Sequence, residues 1–409
     1  MVDPKRVNSG SRSMFEDGQH GHHPGMDAPP ILLTGATGFV GMELLARYLE
    51  RTDRTVYALV RGRDDADAQE RLDETVSRVL PDPEPYAGRA LAVAGDVTQA
   101  GLGMAPRRRA SLAAEVGEIV HAAASVSFGL SLPASRAINV GGTEQILRLA
   151  ELADRRGDGL RRLSYISTAY VAGDRRGRFG EDDLDVGQTF RNPYEQSKFE
   201  AERLVREHAG RLPIQIFRPS IVVGEADTGW TPAFNVIYWP LRAFARGAYK
   251  AIPARRTAPV DVVPVCFVAD AIFELARQDP PSGTTYHLAA GERASSVDEL
   301  LELGAEYFGR RSPRVVPPWA YRGVVHPLLV RTSDQRRRKA LRTSETFFPY
   351  FAMRVRYDTT TAQAGLAGSG VSVPPLRDYF AQLMDYAVAV DWGKARARRK
   401  RAVAAPAAA

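Results

Sequence analysis

Residues 31–41 read ILLTGATGFVG, an apolar run that enters a turn with glycine at positions 35, 38 and 41. The apolar residues predict a buried strand, and the chain from about Phe39 predicts a helix. Strand, glycine-rich turn and helix in that order are the sequence form of the first β–α turn of a dinucleotide-binding fold. Gly35 then permits the tight turn, Gly38 lets backbone approach a pyrophosphate, and Gly41 lets the helix pack closely on the strand. The anion rests on the free N–H groups and the positive end of the helix dipole. Gly35, Thr37, Gly38, Phe39, Val40 and Gly41 are accordingly the candidate phosphate cradle. Flexible loops also collect glycine, so the surrounding chain has to decide.

Before this turn, residues 1–29 are rich in Gly, His, Ser, Pro and Asp without apolar period, which predicts a disordered leader. Its His20, His22 and His23 have no acidic or cysteine partner and read as solvated, so no metal site is expected. After the turn, Leu44, Leu45 and Leu49 fall at helical spacing, and residues 56–60 (VYALV) read as a second buried strand. Arg61 and Arg63 follow it. At this strand end a carboxylate would accept from a free ribose 2′-hydroxyl, whereas a guanidinium pairs with a 2′-phosphate. Arginine here argues for NADP(H) over NAD(H); the plainer reading is a pair of surface arginines.

Residues 90–94 (ALAVA) read as a third strand ending in Gly95, Asp96 and Val97, where a carboxylate can accept from an adenine amino group. A fourth strand from Glu118 runs into His121, then Ala122, Ala123 and Ala124, whose small side chains let backbone pass beneath a cofactor. His121 itself, after a buried strand, reads as packed rather than catalytic. A helix from Pro133 to about Arg155 and a fifth strand over 163–167 continue the alternation. The fold class this predicts is α/β, a Rossmann-type doubly wound parallel sheet with ligand at the carboxyl ends of its strands.

The chemistry is expected past the fifth strand. Ser167, Thr168, Ala169 and Tyr170 follow it, and residues 192–198 read NPYEQSK. Pro193 suits the first turn of a helix, which puts Tyr194 and Lys198 on one face. A phenol with a pKa near 10 needs help to exchange protons at neutral pH, and a nearby ammonium favours phenolate. The Thr168 hydroxyl can then hold the carbonyl oxygen that Tyr194 protonates. A Tyr-xxx-Lys pair is common by chance, but behind a glycine turn and a Ser-Thr strand end it is specific.

Together these stretches resemble the extended short-chain dehydrogenase/reductase superfamily over residues 31–289. TGATGFVG resembles its cofactor turn, HAAA its fourth-strand signature, STAY with YEQSK its Ser/Thr–Tyr–Lys triad, and FRPSIVVG (217–224) the segment closing over the nicotinamide. The resemblance implies that Thr168, Tyr194 and Lys198 are catalytic and that Lys198 also holds the nicotinamide ribose. It implies that Asn139 and the segment with Pro219, Ser220 and Val222 line the cofactor. Within the superfamily the wording is closest to thioester reductases and fatty acyl-CoA reductases, in LVRGR, HAAASVSF, YISTAYVAG and VDVVPVCFVADAI. Many relatives carry Asp where this chain has Cys266, a position as well suited to a buried filler as to a nucleophile. The expected activity is NADPH-dependent reduction of a long-chain acyl thioester to aldehyde or alcohol. Relatives are often fused to adenylation and carrier domains, so the thioester is expected as free acyl-CoA or on a separate acyl carrier protein. The rivals are a sterol or nucleotide-sugar dehydrogenase or epimerase, and a cofactor-sensing protein without chemistry. Arg61 counts against the first and the complete triad against the second.

The 409 residues suffice for one large α/β domain with an appendage, and 44% hydrophobic with 25% charged content is ordinary for a soluble globular chain. No segment reaches the roughly 18 uninterrupted apolar residues of a membrane span. A single cysteine and no secretory apolar core set a cytoplasmic expectation. The net charge of +7 lies largely in residues 336–339 (RRRK) and 394–401 (KARARRKR). The second run reads as a solvated tail or a peripheral membrane contact; no nucleic-acid module accompanies it. The aromatic stretch 234–249 reads as an acyl tunnel, a membrane-facing surface or a helix covering the sheet. In 319–358, the cations at 336–339 are candidates for CoA phosphates and Phe347, Phe348, Tyr350 and Phe351 for its chain. The expected organisation is a leader (1–29), an NADP-binding domain (30–290, lobe segments inserted from about 220), a C-terminal substrate lobe (291–393) and a basic tail (394–409).

Overall fold

The computed structural model describes residues 28–395 apart from 157, 235, 322–330 and 332–347. Among them, seven parallel strands form one sheet: β1 (Ile31–Thr34), β2 (Val56–Val60), β3 (Ala90–Ala94), β4 (Glu118–His121), β5 (Arg162–Ile166), β6 (Ile214–Pro219) and β7 (Thr284–Leu288). Their order is 3-2-1-4-5-6-7, so the winding reverses between β1 and β4. In such a sheet a ligand settles outside the carboxyl ends of the strands at that reversal.

Helices α1 (Phe39–Arg51), α2 (Asp65–Val79), α3 (Pro106–Glu115), α4 (Leu132–Asp154), α5 (Pro193–His208) and α7 (Val265–Ala276) cover the faces of the sheet, while α6 (Tyr238–Ala245), α8 (Val297–Phe308) and α9 (Leu376–Ala389) belong to a smaller lobe. Strand alternation divides the core. Ile31 and Leu33 of β1 pack with Leu44 and Leu45 of α1, Leu72 of α2 and Ile272 of α7. Leu32 between them points the other way, into a cluster with Leu112 of α3, Ile146 of α4 and Val205 of α5. Burial on both faces is why β1, β2 and β3 read as nearly continuous apolar runs. On the first face Asp270 of α7 ties down α1, accepting from Arg47 at 3.0 Å and Arg51 at 2.6 Å.

The smaller lobe is assembled from two parts of the chain. Leu241 and Phe244 of α6 share a cluster with Leu300 and Leu303 of α8 and Phe380, Leu383 and Met384 of α9. Within the aromatic stretch 234–249 only Tyr238–Ala245 is α-helical, and its apolar side enters this lobe core. Trp239 of the same helix stays 47% exposed. No helix among the described residues is long and apolar enough to cross a membrane. A strand at Arg354–Tyr357 pairs in parallel with Arg176–Phe179, which binds the lobe to the loop after β5. The leader through residue 27, the 336–339 run, Phe347 and the tail from 396 lie outside the described residues.

Candidate active site

At the glycine turn, Gly35 has φ +74°, and a Cβ there would stand 2.7 Å from the Ala122 carbonyl carbon and the Ala123 nitrogen. A side chain at Gly41 would collide with the Gly35 carbonyl. Both glycines are therefore required by the protein itself, Gly41 against its own turn more than against the strand. Gly38 differs: a Cβ there meets only the Gly35 oxygen at 3.2 Å. As N-cap of α1 it brings no capping side chain, so the first-turn N–H groups are left for another acceptor.

A cleft of about 680 Å³ runs from Gly38–Gly41 past Ala122 and Ala124 to Thr168, Tyr194 and Lys198. Tyr194 stands in the first turn of α5, where Pro193 occupies N1 and the Asn192 side chain accepts from the Glu195 N–H at 3.0 Å. Burial pushes the Tyr194 phenol up to about 12, against an opposing hydrogen bond with Thr168. Thr168 ends the β5 segment, its hydroxyl accepting from the Tyr170 N–H at 3.3 Å and donating to the Pro219 carbonyl at 3.4 Å.

One turn on, Lys198 is nearly fully buried and donates to the Tyr165 hydroxyl at 2.9 Å and the Ile166 carbonyl at 2.8 Å. Burial pushes its amine down to about 7, with the Glu202 carboxylate holding it up. The sequence expectation that Lys198 lowers the Tyr194 pKa is thus corrected. Desolvation governs both groups, and the lysine's hydrogen bonds go to Tyr165 and Ile166 of β5. A second further turn of α5 brings Glu202, which accepts from Ser167 at 2.6 Å and from the buried Arg218 at 2.6 to 3.1 Å. Burial raises its carboxyl, but Arg218, Arg206 and Ser167 more than offset this and bring it to about 2. Tyr194, Lys198 and Glu202, spaced by four, are one buried stripe of α5.

The other sequence-derived candidates divide. Ala122, Ala124, Phe39, Val40, Pro219, Ser220 and Val222 line the cleft. Ala123 donates its N–H to Thr34 Oγ1 at 3.2 Å. Asn139 does not line the cleft: its amide accepts from the Ser125 N–H at 2.8 Å and donates to the Ser125 carbonyl and Ser197. It holds the loop after β4 to α5. Arg61 lies exposed past β2, while Arg63 is paired with Asp67 at 2.7 Å. Asp96 accepts from the Thr98 N–H and hydroxyl, and Val97 packs beside Gly142. His121 is packed as expected, bonded to Thr34 at 2.7 Å and held down at about 3 by burial and then Lys198. Cys266 is half-buried and outside the cleft lining. Sequence reading passed over Tyr165, Glu195, Glu202 and Phe128; the spacing of four beyond Lys198 was a usable signal for Glu202.

An NAD-binding family described as male sterility protein matches residues 33–272, more than half of the chain. The chain belongs to this family. It is an NAD(P)-binding extended short-chain dehydrogenase/reductase, an oxidoreductase of thioester-reductase type. It is 32% identical over 386 residues to isonitrile lipopeptide synthase of Streptomyces coeruleorubidus, covering 90% of this chain and 25% of that protein. To the carboxylic acid reductase of Mycobacterium marinum it is 33% identical over 290 residues, 63% of this chain and 24% of that one. The chain thus spans about a quarter of the length of these two curated relatives. Among solved structures, the terminal R domain of the myxalamid PKS-NRPS pathway superposes with a TM-score of 0.78 at 29% identity, over 91% of this chain and 94% of that one.

The family's nicotinamide dinucleotide fits the residues present. The uncapped start of α1, the open space above Gly38 and the continuous cleft to Tyr194 form a cradle for an elongated anion. Beyond that cradle the walls turn apolar, with Val126, Phe128, Ala233, Val236 and Trp239.

Proposed function

We propose that this chain reduces an acyl thioester, carried on CoA or on a carrier protein, to an aldehyde or alcohol with NADPH. The observation that carries the reading is the convergence of Thr168, Tyr194 and Lys198 in one cleft whose remaining wall is mostly apolar, Ser167, Ser220 and Tyr170 apart. Apolar walls suit an acyl chain and offer little to a nucleotide sugar.

Gly38, Phe39, Val40 and Gly41 would hold the pyrophosphate, Arg61 a 2′-phosphate, and Pro219 to Val222 the nicotinamide side. When bound, the nicotinamide supplies hydride to the thioester carbonyl carbon. Thr168 orients the carbonyl oxygen, and Tyr194, protonated at neutral pH because burial keeps its pKa high, donates the proton to it. The resulting hemithioacetal releases thiol and aldehyde as the carbon–sulfur bond breaks. A protonated Lys198 has three N–H donors, of which Tyr165 and Ile166 take two, leaving one for the ribose or the Tyr194 phenol.

The test is NADPH oxidation at 340 nm with acyl-CoAs of graded length, beside NADH controls and Tyr194→Phe. Thioester-dependent oxidation, falling about a hundredfold or more in the variant, is expected. Turnover in Tyr194→Phe near the wild-type rate would refute the role of the tyrosine. Silence with every thioester, with NADPH still bound, would overturn the reading.

A further inference from the structure

Behind Tyr170, Ile221 and Val236, three residues that also line the main cleft, lies a side cavity of about 30 Å³. Most of its wall is apolar. Four polar side chains interrupt it, Asp261, Tyr170, Tyr350 and Tyr357, of which the Tyr350 hydroxyl is already bonded to Asn192 and Glu195. The Asp261 carboxylate accepts from the Ala290 and Gly291 N–H groups at 2.9 Å each and has the Ser220 hydroxyl beside it, which leaves acceptor capacity for one further donor. Tyr357 is 3% exposed, and its hydroxyl has no hydrogen-bond partner among the described residues.

A buried hydroxyl without a partner costs about 1–3 kcal/mol, and phenylalanine would fill the same space without that cost. A tyrosine in this place needs a polar partner in the cavity, either a water or a polar atom that arrives with a ligand and displaces it. The space admits one group about the size of a water molecule, not a guanidinium, a phosphate or a sugar ring. A hydroxyl suits both protein groups, donating to the carboxylate and accepting from the phenol.

We infer that this side cavity is a subsite for a hydroxyl on the acyl chain, with Tyr357 and Asp261 as its hydrogen-bond partners. The substrate class is then a hydroxyacyl thioester rather than a plain alkyl one. The inference rests on the thioester-reductase reading and narrows it. Asp261→Asn would disturb the two backbone bonds that fix the loop after β7, so Tyr357 is the residue to change.

The experiment uses the full chain with NADPH and N-acetylcysteamine thioesters of octanoate and its positional isomers hydroxylated at carbons 3 to 8. One isomer is expected to exceed octanoyl in kcat/KM by tenfold or more. Tyr357→Phe should bring that isomer down to the octanoyl level while octanoyl itself changes less than twofold. A melting temperature equal to or above that of the wild type would show that the variant is folded. Wild-type turnover without preference for any isomer, or a preference that survives Tyr357→Phe, overturns the inference and leaves the thioester reading standing. Bound NADPH with no turnover of any thioester overturns both.

Discussion

Tyr350, from the C-terminal lobe, donates a 2.7 Å hydrogen bond to Glu195, the residue after Tyr194. Glu195 is fully buried and also accepts from the Arg191 N–H at 2.9 Å, while Asn192 donates to the Tyr350 hydroxyl at 2.6 Å. The Phe128 ring lies 5.7 Å from Tyr194 and 5.5 Å from Tyr350. A residue about 150 positions downstream in sequence therefore fixes the start of the helix that carries the proposed proton donor.

Tyr350→Phe keeps the ring and removes this bond, leaving Glu195 short of one partner. Loss of a buried hydrogen bond to a charged group predicts destabilisation of about 1.5–3 kcal/mol. Because the bond positions Tyr194, kcat should fall several-fold while NADPH affinity stays unchanged. Denaturant unfolding and steady-state kinetics read the two effects separately. A wild-type kcat in a destabilised variant would make the contact structural only.

The glycine turn supplies a contrast inside one motif. Gly41→Ala drives a Cβ into the Gly35 carbonyl and should prevent stable folding. Gly38→Ala meets only one atom, at 3.2 Å, and should fold normally. If Gly38 faces the pyrophosphate, its variant loses NADPH affinity by tenfold or more in a fluorescence titration. Wild-type binding by folded Gly38→Ala would remove the turn from the cofactor site.

Arg61 and Arg63 look alike in sequence and differ in space. Arg63 is engaged with Asp67, whereas Arg61 has no ion pair among the described residues and stands directly past β2, the strand beside β1. Arg61→Ala should reduce the preference for NADPH over NADH by about 10- to 100-fold, the worth of a charge-assisted bond to a phosphate. Arg63→Ala should change it less than threefold. Equal effects would show that the Arg63–Asp67 pair opens to meet the cofactor.

The fold was legible where burial is two-sided and local. β1 to β5 are short apolar runs, and α8 over Val297–Phe308 falls where its amphipathic pattern places it. β6 was harder because it carries Gln215 and Arg218, polar residues whose burial depends on distant partners such as Glu202 and the backbone of Glu181 and Asp183. The triad and glycines were legible because their spacing is itself the chemistry. The surroundings of Tyr194 were not: Tyr350 is brought to Glu195 and, with Asp261, to the side cavity by tertiary packing that no local pattern records. The direction of the Tyr194 pKa shift was missed for the same reason, since desolvation is a property of the packed site.

Lys198 should leave a signature in the pH dependence of stability. Its ordinary value is 10.5, and burial in the native state brings it to about 7. Below pH 7 the amine is charged in both states, and the native state carries the full cost of burying that charge. Between pH 7 and 10.5 the unfolded chain holds a proton that the native protein has shed, so stability rises with pH across this window. Above 10.5 the amine is neutral in both states and the penalty is gone. Lys198→Met has no such titration, so the unfolding free energy of the wild type should climb relative to the variant by a few kcal/mol from pH 7 to 10. Urea unfolding of both proteins at steps of half a pH unit reads the difference directly, and groups common to both cancel. Parallel curves through the window would mean that the lysine stays charged in the native state. Its bonds to Tyr165 and Ile166 would then outweigh desolvation, and Lys198 would act as a permanent cation beside Tyr194.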